Sequence, residues 1–443
     1  MIMKENSTKK SNGFALLPIL VFLVLFIGTG IIHNDFYSMP AVVGFMIALI
    51  VAFIQTKDYT FEEKLKIAAT GVGDENVITM CLIFLTAGGF SGAVSAAGGV
   101  TSTVNLGLSL LPPQVAVIGL FIIGCFISIS MGTSMGTIAS LAPIAVGISE
   151  KTGFSMAICI GAVVSGAMFG DNLSMISDTT IAAVRTQGCQ MRDKFKRNFF
   201  IVLPAAIATI VILFILTKGT VFHITGSLDY NFFQVIPYLF VLITALMGIN
   251  VFFVLISGTV LSIIVGLATG AMKTSAIFTS IGEGVSGMYD ITVISILVAC
   301  ISQLVRENGG FDFILEKIHG RIHSYKGAEL GIAGLISLVD AATANNTIAI
   351  VIAGPIAKEI SDDYGIEPDR TASLLDMFAS VFQGIIPYGA QLLSAASLTN
   401  LTSFDIMPYL FYPYLMGICG LVSIAFSKKK LKNDNENQTA QSA

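Results

Sequence analysis

The sequence predicts an all-α polytopic membrane protein: about ten transmembrane helices plus two re-entrant hairpins, arranged as two inverted-topology repeats with broken helices. Three observations predict it. The 443 residues are 54% hydrophobic and 12% charged, with a mean hydropathy of +0.83, whereas soluble domains carry about 25% charged residues. Apolar runs of bilayer length recur along the chain, and its lysines and arginines fall almost entirely on one side of them. The chain also resembles itself across its two halves. A net charge of −4 says little about partners here, because cationic residues in such chains are sorted by side of the membrane.

Taken in order, spans are expected at 14–32, 39–54, 76–98, 155–184, 199–217, 232–247, 249–270, 289–304, 371–399 and 405–426. The first follows Lys4, Lys9 and Lys10 and is too long for a signal-peptide core, so it reads as a helix. Two apolar pairs, 114–130 with 133–149 and 328–341 with 346–360, have arms mostly shorter than the roughly 20 residues of a full crossing and read as hairpins. With the N-terminus inside, 21 of the 24 Lys and Arg lie in inside segments, and Lys151, Lys218 and Lys273 remain outside. This imbalance is the positive-inside rule at work. It places the protein in the plasma membrane with both termini cytoplasmic.

"GVGDENVIT" at 71–79 resembles "GVSGMYDIT" at 284–292, an offset of 213, and "PIAVGISEKTG" at 143–153 resembles "PIAKEISDDYG" at 355–365, an offset of 212. Gly170 is paired with Gly389 at an offset of 219. Residues 14–217 and 232–426 are therefore read as the two repeats. The cytoplasmic N-terminus is 1–13, an external linker 218–231 and a cytoplasmic tail 427–443. Five crossings per repeat would turn the second upside down, the plan of many secondary transporters.

The segment "FGDNLSMISDTT", 169–180, places carboxylates inside an apolar span. With Gly161, Gly166 and Gly170 before it, 155–184 reads as a helix broken near its middle. Its partner 371–399 carries Gly384, Pro387 and Gly389 in "FQGIIPYGAQLLS", with Gln391 just beyond. Unwound backbone in a bilayer is tolerated only where protein or an aqueous cavity surrounds it.

The hairpin tips bring further oxygens: Ser130, Thr133, Ser134 and Thr137 in the first, opening outward, and Asp340, Thr343, Asn345, Asn346 and Thr347 in the second, opening inward. Hydroxyl and amide oxygens with one or two carboxylates suit a hard alkali cation, sodium, rather than zinc or copper. Asp171, Ser174 and Asp178 would share one face if the segment were a continuous helix. Intramembrane carboxylates mark function by default, with a buried structural network as the alternative. Asp340 is read as a site carboxylate before a hairpin-tip cap, and Asp376, six residues past Arg370, is placed near the cytoplasmic rim. The stretch "RTQGCQMRDKFKRN" reads as a basic inside anchor. His33, His223, His319 and His323 fall in loops, and six scattered cysteines form no CxxC pair or disulfide framework.

"MGTSMGTIASLAPIAVGIS" followed by "GAMFGDNLSMISDTTIAAVRTQGC" resembles the NhaC-type sodium/proton antiporters of the wider ion-transporter superfamily. The resemblance implies exchange of sodium for protons by alternating access at Asp171, Asn172, Ser174, Asp178 and Thr179. It implies transported Na+ and H+ but no cofactor and no enzymatic activity. It also leaves a small organic solute open, an amino acid before a dicarboxylate, since no Arg is expected in the embedded site. Membrane lipids are partners, nucleic acid is not, and a homodimer is left open. An aspartyl protease is excluded because position 168 is Met where GxGD needs Gly, and a metalloprotease because HExxH is absent. A passive channel is disfavoured by paired broken helices, which suit alternating access.

Overall fold

A chain this apolar must satisfy its backbone polar groups internally, and helices do so within one segment. The computed structural model is all-helical among the described residues, which are 11–33, 39–110, 113–175, 177–218, 227–247, 249–319 and 322–428. The expected N-terminal segment up to residue 10, the linker over 219–226 and the tail from 429 lie outside them, as do the side chains of Ser130, His33, His223 and His319.

The first half contains α1 (Leu17–His33), α2 (Ala41–Gln55), α3 (Phe61–Val72), α4 (Glu75–Ala96), α5 (Gly99–Leu110), α6 (Pro113–Met131), α7 (Ser134–Thr152), α8 (Met156–Leu173), α9 (Asp178–Gln187) and α10 (Met191–Thr217). The second contains α11 (Phe232–Leu246), α12 (Val251–Ala268), α13 (Ile277–Gly287), α14 (Tyr289–Glu307), α15 (Gly310–His319), α16 (Tyr325–Thr343), α17 (Asn346–Tyr364), α18 (Pro368–Ile385), α19 (Ala390–Ser397), α20 (Ser403–Ile406) and α21 (Phe411–Ala425). Among the described residues six helical segments are long and apolar enough to cross a membrane, or eight if each of two bent pairs is one span; two shorter apolar helices lie at 41–55 and 232–244.

Helices α6, α7 and α8 begin and end 212 residues before α16, α17 and α18, and α9 starts 212 before α19. Glycines in the left-handed region keep that step, Gly153 (φ 73°) with Gly365 (φ 72°). At the hairpin tips Gly132 (φ 68°) corresponds to Ala344 (φ 48°), the latter in a conformation that an L side chain adopts at a cost of about 1–2 kcal/mol. This register corrects one pairing. Gly389 corresponds to Ser177, and Gly170 to Phe382.

Each hairpin arm is a 19-residue helix, about 28 Å long at 1.5 Å per residue. The arms exceed the lengths read from hydropathy because polar ends such as Glu150–Thr152 and Tyr325–Gly327 continue the helix without adding apolar character. Both predicted breaks are present, at Ser174–Ser177 and at Ile386–Gly389. The glycines of α8 do not make the break, however. A Cβ on Gly166 would sit 2.3 Å from the Phe121 carbonyl oxygen, and one on Gly170 would sit 2.4 Å from Ser128 Cβ. They allow α8 to lie against α6 at backbone distance, the role of small residues in membrane interfaces. The Ser128 hydroxyl closes this contact by donating to the Ala167 carbonyl at 2.6 Å.

The basic stretch is not a loop. Helix α9 runs to Gln187 and α10 resumes at Met191, so Lys194 and Asn198, four residues apart, share a buried face while Arg192 and Lys196 stay exposed. At the edge Tyr59 donates to Glu307 at 2.7 Å, which pushes its phenol pKa up to about 12.

The α6–α8 contact gives a matched comparison. Gly166→Ala should destabilise the detergent-solubilised protein by about 1–3 kcal/mol through overpacking. Gly119→Ala, in α6 with nothing within 4 Å of the added methyl, should be neutral or stabilising. Thermal unfolding followed by loss of monodisperse protein reads the difference, and equal melting temperatures would refute the close-packing role.

Candidate functional site

The first break leaves the last carbonyls of α8 and the first amides of α9 without helical partners. Ser174, which caps α8 in an extended conformation, donates to the Ile129 carbonyl of α6 at 2.7 Å. At the C-terminal end of α8, Lys194 Nζ donates to the Asn172 carbonyl at 2.8 Å and to Thr180 Oγ1 of α9, also at 2.8 Å. The same ammonium pairs with Asp376 of α18. A cation at a helix C-terminus is favoured by the helix dipole. Here it also bridges both halves of the broken helix.

The Asp376 side chain is fully buried, and its Oδ2 also accepts from Asn172 Nδ2 at 3.0 Å and from Thr180 Oγ1 at 3.4 Å. Asn198 donates to Asn172 Oδ1 at 3.3 Å and accepts from Ser373. A second buried pair, Arg370 Nε with Glu329 Oε1 at 2.7 Å, ties α18 to α16, and Arg370 also donates to Ser423 of α21. Sequence reasoning put Lys194 and Arg370 into loops and missed both pairs. The available signals were the apolar neighbours of Asp376 in "LLDMF" and the spacing of Lys194 and Asn198 leading into an apolar helix.

The buried Asp171 carboxylate faces the other way. It accepts from Ser134 Oγ at 2.7 Å and from Ser177 Oγ at 2.6 Å, and Ser177 lies 2.9 Å from Thr179 Oγ1. Ser134 in turn accepts from Gln391 Nε2 at 3.0 Å. Gln391 Oε1 accepts from Gln383 at 2.6 Å, and Gln383 also donates to the Ala344 carbonyl at 3.2 Å. One hydrogen-bonded chain thus joins both breaks and both hairpin tips. Asp171 and Gln383 sit at corresponding positions of the two halves.

A cavity of about 270 Å³ opens beside this chain. Of the residues expected from sequence, it brings together Asp171, Asp178, Thr179, Thr133, Ser134, Asn345, Asn346, Thr347 and Gln391, with Ser177 and Gln383 added. Asn172, Ser174, Thr137, Asp340 and Thr343 do not line it. Asn172 and Ser174 hold the break, while Thr137 and Thr343 donate back to carbonyls of their own helices at 2.9 Å. Asn345 caps α17 by accepting from the Ile348 amide at 3.0 Å. Because of the break, Asp171 ends α8 and Asp178 begins α9, so they share no helical face; they meet at the cavity instead. Asp178 suits the positive N-terminal end of its helix.

Among the described residues Asp171 and Asp178 are the charged side chains lining this cavity, and no Lys or Arg joins them. The lining hydroxyl and amide oxygens keep acceptor lone pairs. Among the described residues no cluster of three His, Cys, Asp or Glu side chains could hold a resident metal ion. Apolar helices of membrane-crossing length, two facing breaks and a polar cavity between them define a multi-pass membrane transporter.

The Na+/H+ antiporter family model matches residues 9–218 and 224–427. The chain belongs to that family. It is 21% identical to the Na+/H+ antiporter NhaC of Alkalihalophilus pseudofirmus over 95% of this chain and 98% of that protein. It is 19% identical to the malate-2H+/Na+-lactate antiporter of Bacillus subtilis over 90% and 92%. Among solved structures, the YdaH transporter of Alcanivorax borkumensis aligns with a TM-score of 0.42 at 13% identity, covering 93% of this chain and 98% of that one.

The buried pair sets a stability test. Asp376→Asn leaves Lys194 buried without its counter-charge and should cost about 3–5 kcal/mol, whereas Lys194→Met with Asp376→Leu should recover only part of that loss, because the Asn172 carbonyl then lacks its donor. Yield of folded protein by fluorescence-detected size exclusion reads both, and a double variant no better than the single would show that the pair is not the source of the loss.

Proposed function

We propose that the protein exchanges Na+ for H+ across the plasma membrane by alternating access, with Asp171 as the cation-binding carboxylate. The observation that carries this reading is a cavity whose charged lining is two carboxylates, set among neutral hydroxyl and amide oxygens at a helix break. Hard oxygen donors of that kind match an alkali cation. Among the described residues no Arg or Lys lines the cavity to pair with an organic carboxylate, which favours the ion over an anionic solute.

In this reading Asp171 binds sodium with Ser134, Ser177 and Thr179, and Asp178 draws the cation into the cavity. Tip oxygens of Thr133, Asn346 and Thr347 complete the shell when the tips close. Ser134 and Gln391 make the two repeats answer to one ion, because each belongs to a different repeat and they share a hydrogen bond. The repeats are taken as inverted in the membrane, with ten crossings, hairpins opening to opposite sides and both termini cytoplasmic. That arrangement is supported by the 212-residue register and by the placement of 21 of 24 Lys and Arg inside.

Liposomes holding a pH dye, with a proton gradient imposed and sodium then added outside without any organic solute, test the proposal. Sodium should dissipate the gradient, Asp171→Asn should abolish the response in a folded protein, and Ser134→Ala should raise the half-saturating sodium concentration about tenfold through loss of a charge-assisted contact. A sodium response undiminished in Asp171→Asn would remove this residue from the site. A wild-type protein silent to sodium alone would point to sodium-coupled carriage of a solute.

A further inference from the structure

Asp340, in the last turn of α16, has no role in the cavity chemistry above. Its side chain is fully buried, and both carboxylate oxygens lack a hydrogen-bond partner among the described residues. The basic side chains of the packed helix α18 do not serve it, since Arg370 is held by Glu329. Asp376 of α18 is held by Lys194. No charged side chain of α14, α15, α17 or α21 among the described residues forms an ion pair with it. The titratable group that faces it is Tyr388 of the second break, whose hydroxyl donates to the neighbouring Ala341 carbonyl at 2.7 Å. An ionised carboxylate so placed would be a buried, unpaired charge, which costs far more than a neutral acid.

Internal symmetry says what the position holds elsewhere. The counterpart of Asp340, 212 residues earlier, is Ser128, a hydroxyl that donates a proton to a carbonyl of the broken helix. A carboxylate cannot donate; a carboxylic acid can. Asp340 does not itself open onto a cavity, but its neighbours do. Tyr388, together with Thr343 and Ala344 just past Asp340, lines a second cavity of about 260 Å³. That cavity meets the Asp171 cavity at Met80 and Asn345, which line both and touch at 3.7 Å.

We infer that Asp340 carries the proton of the exchange at a site separate from the cation carboxylate Asp171, taking up and releasing H+ through the second cavity. This deepens the proposed function and rests on it. Sodium and proton then bind on different repeats, and the chain Asp171–Ser134–Gln391–Gln383 between breaks and tips makes loading of one site felt at the other.

The experiment compares wild type, Asp340→Asn and Asp340→Ser in liposomes, the serine supplying the donor found at the symmetric position. Two modes are read: proton-gradient-driven sodium uptake, and exchange of radioactive sodium for unlabelled sodium without a gradient. Both variants should lose gradient-driven uptake by more than about tenfold while keeping sodium-for-sodium exchange within about twofold. Infrared spectra at neutral pH should show a protonated-carboxyl band in wild type that is missing from Asp340→Asn. Proton-driven uptake with an unaltered pH profile in either variant overturns the inference, and so does loss of both modes in folded protein, which would make Asp340 a cation ligand or a frame residue. If wild-type protein fails to exchange sodium for protons, the functional reading falls and the carrier role with it, while the infrared band still decides whether Asp340 is held as an acid.

Discussion

A helix broken inside an apolar bundle leaves carbonyls that water cannot reach, and the rest of this structure depends on how those groups are answered. Lys194 answers them. Its ammonium takes the Asn172 carbonyl, the Thr180 hydroxyl and the Asp376 carboxylate together, so one side chain from α10 spans the gap and ties it to α18. A hydrated lysine would gain nothing by moving there alone, since burying a charge is expensive. It is held because Asp376 neutralises it and because the end of α8 presents the negative end of a helix dipole. With the carbonyl side of the break occupied by the protein's own cation, the carboxylate of Asp171 points to the cavity and its hydroxyl partners.

The two halves repeat a backbone without repeating its chemistry. Helix ends, breaks and tips fall in the same register, yet Asp171 corresponds to Gln383, Thr179 to Gln391, and Ser128 to Asp340. Such an arrangement lets one geometry do different work in each copy. The first copy offers a carboxylate among hydroxyls; the second offers amides that relay hydrogen bonds and a dry carboxyl beside the opposite tip. Copies that differ in this way place unlike side chains at matching points of one backbone register.

The class of fold, both breaks, both hairpins and the core of the cavity were legible in the sequence, because each rests on a strong local signal. Pro387 and Gly389 do not sit in a continuous helix, and "GDNLSMISDTT" is too polar for an ordinary span. What was not legible depends on packing between distant segments. Lys194 and Asp376 are 182 residues apart, and each looks like a membrane-rim residue until α10 and α18 are laid side by side. The α8 glycines misled for a related reason: a glycine that breaks a helix and one that admits a neighbouring backbone look alike in sequence, and only the Phe121 carbonyl against Gly166 separates them. Hydropathy likewise shortened the hairpin arms, since it scores side chains and not the continuity of the backbone ladder.

The charges of the interior do not cancel in pairs. Among the described residues each strongly buried cationic side chain is matched within the protein, Lys194 by Asp376 and Arg370 by Glu329. The buried Asp171 and Asp340 have no such counter-ion in that set. Buried carboxylates left over after the internal pairs cancel must be neutralised by something that comes from outside the chain, a metal cation or a proton. Asp171 has hydroxyl partners and a cavity wide enough for a cation, whereas Asp340 has neither. Under the proposed function this deficit of positive charge is met by sodium at Asp171 and by a proton at Asp340, so that the loading of each keeps the interior's charge balanced.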